Sequence, residues 1–281
     1  MNSIANAAEA EAVDISMLKS IFQLSPADVV PRPFPHVIKQ DILEPDFYRQ
    51  LKAEFPVDSL FDKRGKRMGA RTGRDLYRGD SGFDEFIEQS SAWRRLYSCM
   101  NSPEFLKFTL EMFGPYFDEF RCRVSADKAQ LVSHTEHRFS VWWRARKARW
   151  FGAGATQDPD KVFVRFDIEQ SDTGYAKPVH CDNQSRLVSF LVYFCDADEI
   201  GLEGGDLRIH AHVEDKLYSD SERFPKESDT KVIRTLRPRD NLGLFFLCSN
   251  NSYHSVTPVT RSRDYRRFIY TNLSSTAENI W

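Results

Sequence analysis

Eight residues, Leu187-Val188-Ser189-Phe190-Leu191-Val192-Tyr193-Phe194, constrain the fold of this 281-residue chain more than any other stretch. The run is too short for a self-sufficient buried helix and is rich in branched and aromatic side chains. It therefore predicts a strand buried on both faces. Upstream, Val162, Val164, Phe166 and Ile168 alternate with Phe163, Arg165 and Asp167, the period of a strand with two different faces. Further strands are predicted near 206–211, 232–236, 242–247 and 266–273. The first half of the chain reads instead as helices. Strands in a run after helices give an α+β class, here a double-stranded β-helix (jelly roll) braced by N-terminal helices.

The chemistry-bearing residues cluster around that buried strand. In Pro178-Val179-His180-Cys181-Asp182, His180 and Asp182 are two apart, so on extended backbone they project from one face while Cys181 points away. His254 follows far downstream in Ser252-Tyr253-His254-Ser255-Val256. Two imidazoles and one carboxylate, with other positions left open, form the donor set that suits non-haem Fe(II). Between them lie the turn Gly204-Gly205-Asp206-Leu207 and a second apolar strand, and after them come Pro258-Val259-Thr260 and Arg266-Arg267-Phe268.

In this order the motifs resemble the iron- and 2-oxoglutarate-dependent dioxygenases, in the broad group that includes the prolyl hydroxylases. The resemblance spans roughly residues 160 to 275, with a looser match at Pro33-Phe34-Pro35-His36-Val37-Ile38. It implies Fe(II) held by His180, Asp182 and His254, with 2-oxoglutarate and O2 as cosubstrates and succinate and CO2 as products. It also implies a buried cation for the far carboxylate of 2-oxoglutarate. Arg266 is the candidate, Arg267 the alternative if the strand shifts by one residue, and Tyr175 and Tyr193 are candidate hydroxyl donors. Phe268 departs from the family's usual small or hydroxyl residue. Halogenating relatives carry a small residue in place of the carboxylate, so Asp182 favours hydroxylation.

The rest of the chain narrows the function class. A formal net charge of −2 gives no global field for nucleic acid, and no segment has the length and apolarity of a membrane span. Five scattered cysteines, without C-x-x-C spacing, argue against a zinc knuckle or a disulfide framework. With Glu9, Glu11 and Asp14 in place of an apolar signal core, they make the cytoplasm the expected compartment. Residues 1–30 read as an N-terminal helix and linker, and 31–281 as the oxygenase domain, with helical support over 31–150 and the catalytic core over 160–275. Within that support, Pro45 predicts a helix start, Phe47, Leu51 and Phe55 a core-facing stripe, and Ser102-Pro103-Glu104 a capped helix ending at Gly114.

Residues 56–80 read as a loop. Its basic run includes Lys63, Arg64, Lys66, Arg67, Arg71, Arg74 and Arg78, and it suggests a lid over an anionic small molecule. Residues 139–150 mix tryptophans with arginines and read as an amphipathic segment. The charged stretch from Glu214 to Thr230 reads as a surface insertion. His134 with His137, and His210 with His212, are competing metal pairs without a supporting motif, and His210 and His212 are expected to face solvent or to stand behind the metal ligands. The expected partner is a small molecule. Hydroxylation of a peptidyl or nucleic-acid residue, or cupin-like binding without turnover, are the alternatives.

Overall fold

The computed structural model describes residues 15–61, 73–133, 158–216 and 223–281. Its first half is mainly helical, and three of the five helices among the described residues begin at a side-chain cap. Helix α1 (Ile15–Ile21) leads into Phe22, and Leu18, Ile21 and Phe22 are buried. Helix α2 (Pro45–Ala53) has proline at its first turn, and the Glu44 carboxylate accepts from the amides of Asp46 at 3.1 Å and Phe47 at 2.7 Å. Ser90 ends α3 (Phe83–Gln89) and caps α4 (Ser91–Met100), its Oγ accepting the Trp93 amide at 3.1 Å. Ser102 caps α5 (Pro103–Phe113) in the same way, through the Phe105 amide.

Two sheets follow, antiparallel except at one short pairing. The strands are β1 (His36–Lys39), β2 (Gly73–Tyr77), β3 (Gln130–Leu131), β4 (Lys161–Ser171), β5 (Lys177–His180), β6 (Arg186–Tyr193), β7 (Leu207–His212), β8 (Thr230–Leu236), β9 (Gly243–Leu247), β10 (His254–Val256) and β11 (Arg266–Ser275). The larger sheet runs β1-β9-β6-β11-β4-β2, with β3 joining β4 in parallel, and the smaller runs β5-β10-β7-β8. The strand predicted at 187–194 is β6, at the middle of the larger sheet. Its residues Leu187 to Phe194 are all buried, between the helices on one face and the smaller sheet on the other.

Strand alternation sorts the larger sheet into two faces. On β4, Val162, Val164, Phe166 and Ile168 turn towards the helices. Phe166 packs against Trp93 and Tyr97, and the Trp93 indole donates to the Leu51 carbonyl at 3.1 Å. The odd-numbered residues of β4, with Arg266, Phe268 and Tyr270 of β11 and Ser189 and Tyr193 of β6, line the face towards the smaller sheet.

Two expectations change. The stretch 56–80 is not a loop throughout, because Gly73–Tyr77 form edge strand β2, paired residue for residue with Tyr77↔Asp167 through Gly73↔Ser171. That segment lacks the apolar alternation of a strand because its pairing to β4, not its own side chains, holds it. The charged insertion is also more than surface. Arg223 Nε donates to the Cys181 carbonyl at 2.9 Å, the Cys181 amide donates to the Arg223 carbonyl, and Phe224 stacks 6.2 Å from the His180 ring. Residues 62–72, which hold most of the basic run, residues 139–150, and His134 with His137 lie outside the described residues.

Candidate metal centre

The two imidazoles come from adjacent strands of the smaller sheet, where His254 of β10 pairs directly with His180 of β5. Their rings are 4.3 Å apart. Each Nδ1 lies 2.9 Å from a carbonyl two residues back in its own chain, Pro178 for His180 and Ser252 for His254. Donation from Nδ1 to those carbonyls leaves both Nε2 atoms as lone-pair donors aimed at one point. Burial first, and then the neighbouring His254, pushes His180 down to about 3, and burial lowers His254 too, so both rings are neutral near pH 7 and ready to bind a cation.

Asp182 supplies the third donor from just beyond β5. Donor atoms of His180, Asp182 and His254 all lie within 4.8 Å of one another, and all three residues are buried. Burial alone would raise the Asp182 carboxyl. Arg186 first, then His254 and His180, outweigh it and hold the group well below the usual carboxylate range. An ionised oxygen beside two neutral imidazole nitrogens is the hard-to-borderline donor set that a divalent iron accepts.

A second pocket sits along β11. Arg266 is 1% exposed, and its Nη2 donates to the Tyr193 hydroxyl at 2.8 Å. Its guanidinium lies 4.6 Å from the Phe268 ring centre, 4.9 Å from Tyr193 and 5.8 Å from Tyr175. Its Nε and Nη1 are buried without a hydrogen-bond partner among the described residues. A buried guanidinium with two unpaired donors calls for an anion, and the distal carboxylate of 2-oxoglutarate has the charge to meet it. Phe268 stacks on this fork instead of offering a hydroxyl. Ser171 stands directly across from Arg266 in the β4–β11 register, with its Oγ buried and unpartnered.

Arg267 points the other way. It stacks 5.8 Å from Phe55 and bonds Asp264 at 3.0 Å, on the helix-facing side. His210 is buried instead of facing solvent. Its ring bonds the Ser255 hydroxyl at 2.8 Å, and burial pushes it down to about 4. It sits on β7 beside the strand of His254, so it backs the candidate ligands and does not join them; His212 is half-buried further along. The neighbours of Asp182, Ser189 and Tyr270, were missed by sequence reasoning, as was Ser171. Alternation along β4 puts Ser171 on the inner face, so that signal was present.

Residues 166–273, which contain the three candidate ligands, match the family model described as the 2OG-Fe(II) oxygenase superfamily. None of the curated proteins compared matches the chain. Similar solved structures include the following three. An oxidoreductase of the 2OG-Fe(II) oxygenase family from Burkholderia pseudomallei is 11% identical, with 87% of this chain and 85% of that one covered at a TM-score of 0.42. A prolyl-4-hydroxylase from Pseudomonas putida is 13% identical, with 85% and 92% covered at 0.42. A prolyl hydroxylase from Trichoplax adhaerens, in complex with a hypoxia inducible factor oxygen degradation domain peptide fragment, is 12% identical, with 85% and 83% covered at 0.42.

Proposed function

We propose, from the premise that residues 166–273 form a 2OG-Fe(II) oxygenase core, that this chain hydroxylates a small molecule bearing both an acidic and a cationic group. The enzyme class is that of a 2-oxoglutarate-dependent non-haem iron oxygenase, with Fe(II), 2-oxoglutarate and O2 as its reactants. When bound, Fe(II) and 2-oxoglutarate would supply the oxidising power for adding one oxygen atom of O2 to a substrate C–H bond, the other going to succinate as CO2 leaves. His180, Asp182 and His254 would hold the metal. Arg266 would anchor the distal carboxylate, with Ser171, Tyr193 and Tyr175 around it. The observation that carries this reading is the convergence, between the two sheets, of a buried three-donor cluster and a buried arginine with free donors.

The substrate class is read from the charges on the inner faces. Asp75 and Glu169 face each other across β2 and β4, two like charges whose repulsion Lys177, Arg165 and Arg266 offset and a substrate cation would offset further. Lys177, three residues before His180, places its Nζ 5.6 Å from the Tyr270 ring centre on the same side as the metal ligands. The acidic group assigned to the substrate rests on Lys177, since most of the basic run 63–74 lies outside the described residues.

The domain division is part of the proposal, with 1–30 as an N-terminal helix and linker, 31–150 as helical support and 160–275 as the catalytic core. No helix among the described residues is long and apolar enough to cross a membrane. The five cysteines are all free, which supports a reducing compartment such as the cytoplasm.

The test is direct. His180→Ala with Asp182→Ala is expected to abolish Fe(II) binding and succinate release from 2-oxoglutarate. Iron binding and succinate release in that variant equal to the parent's would refute the assignment, and a parent that binds iron without releasing succinate would be a cupin-like binding protein.

A further inference from the structure

The Asp182 carboxylate is held by more donors than a metal ligand needs. Arg186 Nη1 donates to Oδ1 at 2.7 Å. The hydroxyls of Ser189 and Tyr270 both donate to Oδ2, each at 2.6 Å. Arg186 Nη1 also reaches the Tyr270 oxygen at 2.9 Å, and its guanidinium lies over the Tyr270 ring, so the three donors brace one another. They come from different parts of the larger sheet, Arg186 and Ser189 from β6 and Tyr270 from β11.

An ionised carboxylate offers about four lone-pair positions, two on each oxygen. The two hydroxyls fill both positions of Oδ2, with the Cys248 thiol as a third, more distant donor at 3.8 Å, and Arg186 fills one of Oδ1. One position remains, on Oδ1, the oxygen 3.9 Å from His254 Nε2. We infer that Arg186, Ser189 and Tyr270 act as positioning residues that restrict Asp182 to one-oxygen metal ligation. This inference rests on the metal-binding reading above and extends it to residues that touch no metal.

The consequence is a count of open positions. Iron prefers six ligands, and three single-atom protein ligands leave three. Two are needed for a chelating 2-oxo acid and one for O2. A carboxylate free to turn and bind through both oxygens would take one of the three. The clamp keeps that place open by occupying Oδ2 before any metal arrives. Arg186 does a second thing, because its charge beside Asp182 leaves the site more positive than two neutral imidazoles and a bare carboxylate would, which favours a dianionic cosubstrate.

The test uses the full chain, with Fe(II) under anaerobic conditions and Co(II) as an air-stable probe. In the Ser189→Ala, Tyr270→Phe double variant the Fe(II) dissociation constant is expected to rise at least tenfold, the lower end of what loss of such outer contacts costs. The Co(II) absorption spectrum is expected to change as the freed carboxylate alters its coordination. With Tyr270 left in place, Ser189→Thr, which keeps the hydroxyl, is expected to hold both readouts near the parent's, whereas Ser189→Ala is expected to shift both. A double variant with a rise below tenfold, or with the parent's Co(II) spectrum, overturns the inference, as does a Ser189→Thr variant no better than Ser189→Ala. If the double variant fails to fold, Tyr270→Phe alone keeps the packed ring, and a rise below threefold there overturns it. Asp182→Ala separates the two levels. If the parent binds Fe(II) no better than Asp182→Ala does, the metal-binding reading falls and takes the clamp with it.

Discussion

Between two adjacent arginines the sequence offers a choice of register, and burial makes it. Arg266 and Arg267 differ by one position on a strand, so they face opposite sides, and only packing says which side is which. Arg266 lies under three aromatic rings with two donors unsatisfied, whereas Arg267 is spent on Asp264 and Phe55. Arg266→Ala is therefore expected to raise the half-saturating concentration of 2-oxoglutarate at least tenfold, a loss of about 1.4 kcal/mol and modest for a buried charge-assisted fork. Arg267→Ala is expected to shift it less than threefold. Steady-state titration of succinate release against 2-oxoglutarate decides, and the reverse ranking would move the anchor to Arg267. His210 teaches a related lesson. A histidine two residues from another on a strand looks like a ligand pair, yet its ring is taken by Ser255.

At the scale of elements, the two turn motifs explain each other. The Gly204-Gly205 turn and the Thr257-Pro258-Val259 segment after β10 are hydrogen-bonded, Gly205 to the Thr257 carbonyl at 3.1 Å and Thr257 to the Asp206 carbonyl at 2.9 Å. Gly204 has φ +76°, and a Cβ there would sit 1.9 Å from the Pro258 carbonyl oxygen. Neither backbone nor side chain can yield cheaply, so Gly204→Ala is expected to cost about 3 kcal/mol or more. In a domain of this size that is a fall of roughly 6–12 °C in the thermal midpoint, read by far-UV circular dichroism. An unchanged midpoint would mean the turn is not seated on that segment. Much of this was legible in advance. The strands with alternation or buried runs, β4, β6, β7, β9 and β11, are near where periodicity puts them, and Pro45, Ser102 and Gly114 mark helix ends as expected. β2 was not legible, since an edge strand reading Gly-Arg-Asp-Leu-Tyr takes its structure from its neighbour. The hydroxyls on Asp182 were not legible either, because they converge from residues 189 and 270, and no local pattern encodes which inward side chains meet.

For the whole molecule the question is what the inner walls of the two sheets select. Of the charged groups on those walls, Asp167 is taken by Arg165 at 2.8 Å and Asp182 by Arg186 at 2.7 Å. That leaves Asp75 and Glu169 on the larger sheet and Lys177 on the smaller, two carboxylates and one ammonium on opposite walls. Burial raises Glu169, while Lys177, and after it Arg165 and Arg266, act against that rise, so a ligand cation placed there would share the carboxylate with these side chains. Phe224, 56% exposed and stacked near His180, marks the solvent side of the metal centre, where a substrate would enter. Carboxylates on β2 and β4 and an ammonium on β5 offer each charge of a zwitterion a partner of opposite sign, where a simple anion would use only one of them. Free α-amino acids should then include at least one that stimulates 2-oxoglutarate consumption above the substrate-free rate, while its N-acetylated and amidated forms do not. Lys177→Met should raise the concentration of that amino acid needed for half-maximal stimulation at least tenfold. If instead only peptides stimulate, or the capped forms work as well as the free one, the charges on β2, β4 and β5 serve the fold and the substrate is read elsewhere.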